Sequence, residues 1–132
     1  GGNPLAATAA LTTIETIIDE KLVDNAADVG AFMLRELRHL QEKYRFIGDV
    51  RGVGLMLGIE LVVDRKSKEP LSTQATEFVF LEALRRGLLL MGYGARIRIN
   101  PPLILTEAEA RDGIAILDET FAALERSGLA AA

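Results

Sequence analysis

The chain lacks several residue types that mark particular kinds of protein. It has no cysteine and no tryptophan in 132 residues, and only 5% of its residues are aromatic. Without cysteine there is no disulfide framework and no thiolate metal site, which fits a reducing compartment such as the cytoplasm. The single histidine, His39, has no cluster of further metal ligands beside it. We therefore predict no metal site.

Charge of one sign and long apolar runs are also scarce. The net charge is −4, and 15 basic and 19 acidic residues are interleaved along the chain. Because there is no basic stripe with stacking rings, we expect no nucleic-acid binding. No apolar run is long and uniform enough to span a bilayer, so we expect no membrane association. No Ser-His-Asp or Cys-His set can be assembled for nucleophilic catalysis.

Apolar residues make up 49% of the chain, which is enough for a hydrophobic core. Their spacing predicts helices and strands in the order α-α-β-β-α-β-β-α. We therefore expect the α+β class, with one small, mostly antiparallel sheet and amphipathic helices packed on it. A first helix is predicted over Pro4 to Ile18, with Asn3 as N-cap and a break at Asp19-Glu20 and Asp24-Asn25.

The remaining elements follow from shorter patterns. A second helix buries one face, strands run over 46–51 and 55–63, and a third helix starts at Ser72 or Thr73. A buried strand is predicted over Leu88 to Met91 and its partner over Arg96 to Asn100, and a capping box at Thr106 starts the last helix. The predicted inward faces are Val29, Met33, Leu37, Leu40 and Tyr44 on the second helix; Ala75, Phe78, Leu81 and Leu84 on the third; and Ile114, Leu117, Phe121 and Leu124 on the last.

The strand at 96–100 carries arginine on an apolar background before two prolines stop it. Strict alternation puts Ile97 and Ile99 on one face and Arg96 and Arg98 on the other. A guanidinium fixed on a sheet is suited to a two-point grip on a carboxylate. From the residues alone, however, a surface arginine whose stem covers apolar neighbours is the favoured interpretation.

Glycine-rich segments occur in the middle and at the start of the chain. Arg51-Gly52-Val53-Gly54 is not a phosphate loop, because its turn leads into a strand rather than a helix. We interpret it as a tight strand connection in which Asp49 and Arg51 pair. Gly54 and Gly58 would permit close approach of a helix backbone, and Glu60 is a candidate partner for a buried arginine.

Four segments of the chain form a recognisable set: Gly-Gly-Asn-Pro-Leu-Ala, Ile-Gly-Asp-Val-Arg-Gly-Val-Gly-Leu-Met-Leu-Gly-Ile-Glu, Arg-Gly-Leu-Leu-Leu and Ile-Arg-Ile-Asn-Pro-Pro-Leu. Together they resemble the C-terminal part of class III aminotransferases, the pyridoxal-phosphate enzymes of the ornithine, acetylornithine and 4-aminobutyrate aminotransferase type. The resemblance implies the small C-terminal domain of a fold type I enzyme. Residues 1–20 would form the helix that links to a large domain, 21–126 the small domain, and 127–132 a frayed tail.

The resemblance also implies roles for particular residues. Arg98 matches the family arginine that pairs with the substrate α-carboxylate. Gly1 and Gly2 would lie near the cofactor phosphate of the partner subunit in a homodimeric parent, although backbone amides before a helix suit any anion and the two glycines could equally be a cloning remnant. The family's catalytic lysine belongs to the large domain, and no catalytic residue is assigned among Lys21, Lys43, Lys66 and Lys68.

The function implied is amino-group transfer between an amino acid or ω-amine donor and a keto acid, with pyridoxal phosphate as electron sink. The isolated chain is expected to bind no cofactor and to be inactive, while supplying Arg98 and small-domain closure to the parent. Three alternatives stay open: a stand-alone α+β module that binds small carboxylates or proteins through Arg98, a dimerisation piece, and a fragment of glutamate-semialdehyde aminomutase. The matching aminomutase segment usually lacks the doubled glycine.

Overall fold

A computed structural model describes residues 2–92 and 94–131, in which four α-helices accompany a four-stranded antiparallel sheet. The α+β class and the predicted order of helices and strands are confirmed. The helices are α1 (Pro4–Asp19), α2 (Leu22–Lys43), α3 (Thr73–Arg85) and α4 (Glu107–Ser127); the strands are β1 (Ile47–Val53), β2 (Met56–Leu61), β3 (Met91–Gly92) and β4 (Arg96–Ile99); and a short 3-10 helix covers Leu129–Ala131.

The sheet has the strand order β1-β2-β4-β3. Its inner face joins the hydrophobic core together with α2, α3 and α4, and it is built from alternate residues of the long strands: Val50, Leu57, Ile59, Leu61 and Ile97. The other face, here called the outer face, is not covered by any helix among the described residues. It carries Asp49, Arg51, Val53, Met56, Gly58, Glu60, Arg96 and Arg98.

Helix α2 is the main support of the sheet, and its predicted apolar stripe is buried. The break before it lies at Glu20-Lys21, where Lys21 adopts a positive φ of 52°, so the predicted break at Asp24-Asn25 is wrong. Asn25 lies inside α2, and its side-chain amide donates to the carbonyls of Leu103 and Leu105, at 2.7 and 3.0 Å. This polar residue ties α2 to the loop that follows β4.

Helix α2 also crosses the turn between β1 and β2 at close range. A Cβ on Gly30 would collide with the backbone carbonyl of Gly54, and Gly54 itself has a φ of 52°. The predicted close approach of a helix backbone is therefore correct for Gly54. It is wrong for Gly58, whose nearest neighbour for an added Cβ is the Ile97 carbonyl oxygen at 3.8 Å.

The inward face of helix α3 matches the predicted one only in part: Ala75 is buried and Phe78 is partly buried, as predicted, but the two predicted leucines are not. Small residues four apart, Ala75, Val79 and Ala83, are buried and let α3 pack closely on α4, whereas Leu81 and Leu84 are exposed. Leu88 to Met91 is not a buried strand either, because only Met91–Gly92 pairs, at the sheet edge, and Leu89 is 79% exposed.

The two ends of the chain contrast with each other. Helix α1 is capped by the Asn3 side chain as predicted, with Leu5 N donating to it at 2.9 Å, yet no residue of α1 is buried. Its apolar residues Leu11, Ile14 and Ile18 are exposed. At the other end, where a frayed tail was expected from residue 127, Leu129 packs against the core because Gly128 turns the chain back at a φ of 77°.

A buried tyrosine links α2 to α4. The Tyr44 hydroxyl donates to Asp118 Oδ1 at 2.6 Å, and Lys43 Nζ donates to the same carboxylate at 2.7 Å. Burial of Asp118 acts to raise the pKa of its carboxyl, but the hydrogen bonds from Lys43 and Tyr44 outweigh burial and lower that pKa below 3.8. Burial, and then the bond to Asp118, raises the pKa of the Tyr44 phenol.

Replacing this carboxylate should cost stability only where it is ionised. A depressed folded pKa contributes stability above the unfolded pKa and loses it as pH falls through the folded value. We expect Asp118→Asn to lower the free energy of unfolding at pH 7 by roughly 1 kcal/mol, since the pair is partly screened by solvent. Urea unfolding at neutral and at strongly acidic pH should show the difference shrink with acid. Asp112→Asn, on an exposed part of α4, is the control; an equal loss at both pH values would contradict this assignment.

A second stability prediction concerns Thr120, whose side chain is fully buried and whose hydroxyl has no hydrogen-bond partner among the described residues. Valine keeps the shape and removes the unsatisfied polar group. Thr120→Val should therefore raise the free energy of unfolding by about 1 kcal/mol in urea denaturation. The matched control is Thr76→Val, because buried Thr76 donates to the Thr73 carbonyl at 2.9 Å. That variant should gain nothing, and stabilisation of both would contradict the explanation.

Candidate functional site

The outer face of the sheet brings together the arginines singled out in the sequence. Arg98 lies on β4 directly opposite Gly58 of β2, and its other neighbour is Met91 of β3. Its side chain is exposed on the outer face, as alternation predicted. Among the residues that the structure describes, it forms no hydrogen bond and no salt bridge.

The neighbouring arginines, in contrast, are held by carboxylates. Arg51 Nη2 donates to Glu60 Oε1 at 2.6 Å, and its Nη1 donates to Asp49 Oδ2. The hydrogen bonds that Arg51 donates to Glu60 and, to a smaller extent, to Asp49 raise the pKa of the Arg51 guanidinium above its ordinary value. Arg96 Nε lies 3.8 Å from the same Glu60 oxygen. The predicted Asp49–Arg51 pair is confirmed.

Glu60 therefore has a different role from the one predicted. Its partners, Arg51 and Arg96, are exposed on the outer face, so the prediction of a buried arginine partner is wrong. The reason is that all three side chains project from the uncovered side of the sheet. Two carboxylates thus balance two of the three arginines, and Arg98 is left with an uncompensated positive charge within the described region.

These groups surround a shallow depression of about 400 Å³ over Gly58. Its rim is formed by the side chains of Arg51, Glu60, Arg96 and Arg98. Since Arg51 and Arg96 are engaged, Arg98 is the group that can offer two parallel N–H donors to an incoming anion. A planar carboxylate matches that fork geometry. The arrangement can bind a monoanion.

The resemblance also implied that Gly1 and Gly2 lie near a cofactor phosphate. Gly1 is outside the described residues. Gly2 is exposed just before α1, with a φ of 82° and open space where a side chain would be. In the described part of the chain no hydrogen bond or salt bridge joins Gly2 to the sheet. The structure thus brings Arg98 together with Arg51, Glu60 and Arg96, but it does not join Gly2 to this group.

The single histidine lies on the surface of α2, away from the sheet. His39 Nδ1 lies 3.7 Å from a Glu36 carboxylate on an exposed turn of α2. Over residues 2–92 and 94–131 no group of three or more His, Asp or Glu side chains could hold a metal ion. Within the same ranges no helix is both long enough and apolar enough to cross a membrane.

Sequence reasoning missed two features of the site. It did not find that Glu60 bridges Arg51 and Arg96, nor that Gly58 faces Arg98. Alternation assigns each of these residues to a face, but it carries no information about which residues of separate strands stand opposite each other. The sequence did hold one signal that could have been used. Gly58 and Glu60 lie opposite the apolar face of β2, and Arg98 lies opposite the apolar face of β4, so all three belong to the same side of a sheet with one buried face.

Comparison with known proteins gives a consistent result. The family model described as aminotransferase class-III matches residues 1–121. Alanine–glyoxylate aminotransferase 2 homolog 2 of Arabidopsis thaliana is 46% identical over 83% of this chain and 24% of its own length. A 5-aminovalerate aminotransferase of Pseudomonas putida is 40% identical over 92% of this chain and 29% of its own. An alanine/serine racemase of Pyrococcus horikoshii is 39% identical over 90% of this chain and 25% of its own.

Solved structures agree with the fold. An amine transaminase from an uncultivated Pseudomonas species, in its PLP-bound internal aldimine form, superposes with a TM-score of 0.88 at 39% identity. The alignment covers 92% of this chain and 28% of that one. The chain thus spans about a quarter of the length of the curated relatives it matches. With a family model that matches nearly its whole length, the chain belongs to the class III aminotransferase family.

Proposed function

We propose that this chain is the C-terminal small-domain part of a larger pyridoxal-phosphate-dependent aminotransferase. The parent would transfer an amino group between an amino acid or ω-amine donor and a keto acid. The observation that carries this proposal is Arg98, an exposed guanidinium on the outer face that no carboxylate of the described residues compensates. Support comes from family membership and from aminotransferases among the relatives.

In this proposal Arg98 binds the carboxylate of the substrate. Its strand is hydrogen-bonded to β2 on one side and to β3 on the other, so the stem of the side chain starts from a rigid backbone. Asp49 and Glu60 pair with the neighbouring guanidinium groups of Arg51 and Arg96, so these groups do not compete with Arg98 for the substrate carboxylate. Binding through two parallel N–H···O bonds then fixes both the position and the orientation of the carboxylate.

The residues of this chain do not by themselves fit a covalently held pyridoxal phosphate. That group, when bound in the parent, supplies an electron sink for amine chemistry. A lysine bound to it needs a desolvated pocket, but all four lysines of this chain are exposed, and Lys43 is engaged by Asp118. No strand of the sheet carries a lysine. We therefore expect the isolated chain to be inactive, with the cofactor held by the remainder of the parent and Gly1 and Gly2 near the partner subunit's phosphate site.

Helix α1 supports the proposal of a larger assembly. A helix that is apolar on most sides is normally covered, yet Leu5, Leu11, Ile14 and Ile18 are all exposed here. The hydroxyls of three of its four threonines, Thr8, Thr13 and Thr16, donate to carbonyls one turn earlier, which reduces its polar surface further. We propose that α1 is covered in a homodimeric parent and links the small domain to the large one. A cytoplasmic location stays a prediction.

The alternatives differ in what the intact gene product would be. A stand-alone carboxylate-binding module or a dimerisation piece requires a native protein of about this length, whereas an aminotransferase or aminomutase requires a parent of roughly three domain lengths. The mass of the protein in its native source therefore separates the two groups. Amino transfer to an added keto acid, measured on that parent, then separates an aminotransferase from an aminomutase or a racemase.

The role of Arg98 can be tested in the full-length parent. Arg98→Ala removes a charge-assisted, two-point contact and should raise the KM for carboxylate-bearing amine donors by about 10- to 100-fold. Arg98→Lys keeps the charge but loses the fork, so its effect should be intermediate. Both variants are to be measured by steady-state kinetics with a carboxylate-bearing donor and with a carboxylate-free arylalkylamine, whose KM should not depend on Arg98. The control is Arg85→Ala, another exposed arginine, at the end of α3. An unchanged KM in Arg98→Ala would refute the proposed clamp.

A further inference from the structure

We propose that Gly58 is a specificity-determining residue of this site, because the missing side chain at position 58 keeps open the space in which a substrate carboxylate reaches Arg98. This inference rests on the carboxylate-binding role proposed for Arg98. It adds a residue that contributes by its lack of volume rather than by a functional group.

The fold itself does not need a glycine at this position. Gly58 lies inside β2 and does not have a positive φ. Within residues 2–92 and 94–131, an added Cβ would meet only the Ile97 carbonyl oxygen, at the ordinary contact distance of 3.8 Å. By contrast, Gly30 and Gly92 each have a neighbour that a Cβ would strike. Glycine weakens a strand interior, and where packing does not explain it, close approach of a ligand or of another backbone does.

The register places Gly58 at the centre of the charged group. It stands opposite Arg51 on β1 and opposite Arg98 on β4, both on the outer face. Directly opposed residues of neighbouring strands have Cβ atoms about 5 Å apart, so a side chain at position 58 would stand between the two arginine stems. The depression over the sheet lies at this gap, with Glu60 next along the same face.

The distribution of charge determines which arginine an anion over Gly58 would bind. Arg51 is bound to Asp49 and Glu60, so an anion in the gap meets Arg98 as its open donor. A flat carboxylate lying over the Gly58 backbone can approach the Arg98 fork without a Cβ beneath it. A methyl or isopropyl group at position 58 would lift that carboxylate or turn it out of the plane of the guanidinium. The expected consequence is loss of preference for carboxylate-bearing substrates.

The steric test uses Gly58→Ala and Gly58→Val in the full-length parent. We expect the KM for a carboxylate-bearing donor to rise about threefold with alanine and about tenfold or more with valine, while kcat/KM for a carboxylate-free arylalkylamine changes less than about twofold. Thermal unfolding should show no loss of stability. Gly113→Ala is the matched control, because Gly113 on α4 also has open space for a Cβ, with Leu88 Cδ1 at 4.0 Å, but is remote in sequence and element from the sheet.

The electrostatic test uses Gly58→Asp and Gly58→Asn, which add side chains of nearly equal size. The aspartate carboxylate would pair with Arg98 and take the place of the substrate group. Binding of butyrate, an unreactive monocarboxylate, followed by calorimetry, should therefore be weakened about tenfold more by aspartate than by asparagine. This readout is independent of turnover.

The outcomes separate this inference from the proposal on which it rests. If Arg98→Ala raises the KM for carboxylate donors but the Gly58 variants do not, the inference is overturned and the clamp stands. If Arg98→Ala has no effect, the clamp itself is refuted. If the Gly58 variants reduce activity equally on both donors or destabilise the parent, then Gly58 serves packing against another part of the parent, and the inference is also overturned.

Discussion

The pairing of β2 with β4 is the constraint on which the site depends. Ile97 of β4 stands opposite Ile59 of β2, and both are almost fully buried, so the inner face locks the register of the two strands. A slip of one residue would turn Arg98 into the apolar core and Ile97 into solvent, at a cost that excludes it. The register that buries Ile97 thus also places Arg98 opposite Gly58. Hydrophobic burial on one side of the sheet determines the charge geometry on the other.

Electrostatic balance then determines how that geometry can be used. Three guanidinium groups on adjacent strands would repel one another, and the repulsion would be strong at reduced dielectric. Asp49 and Glu60 remove most of it by binding Arg51 and approaching Arg96. What is left is a single net positive charge located at Arg98. A site of this kind discriminates by geometry as well as charge, because only an anion that fits beside the occupied arginines reaches the open one.

Sequence periodicity predicted the elements that bury a face within this chain, and it failed where apolar residues have no partner here. Helices α2 and α4 and strand β2 carry regular spacing and line the core. Leu81, Leu84 and Leu89 follow equally convincing patterns but are exposed. Apolar spacing indicates which face of an element is suited to burial. It does not identify the element that packs against that face. In the site, alternation placed Arg98 on the correct face, but the partners of Glu60 and the position of Gly58 depend on pairing between distant segments, which local patterns do not encode.

The rigidity of the sheet has a consequence for how the proposed parent would act. Because β4 is bonded on both sides, Arg98 cannot approach a substrate through movement of a loop. In the proposed parent, the backbone of β4 would move toward a substrate together with the whole sheet. If Arg98 binds the substrate carboxylate as proposed, the binding energy would be available to hold the domain closed over the reacting centre, which would exclude water and fix the substrate. A carboxylate-free amine makes no such contact, so for that substrate closure must be driven by other contacts between the domain and the remainder of the parent.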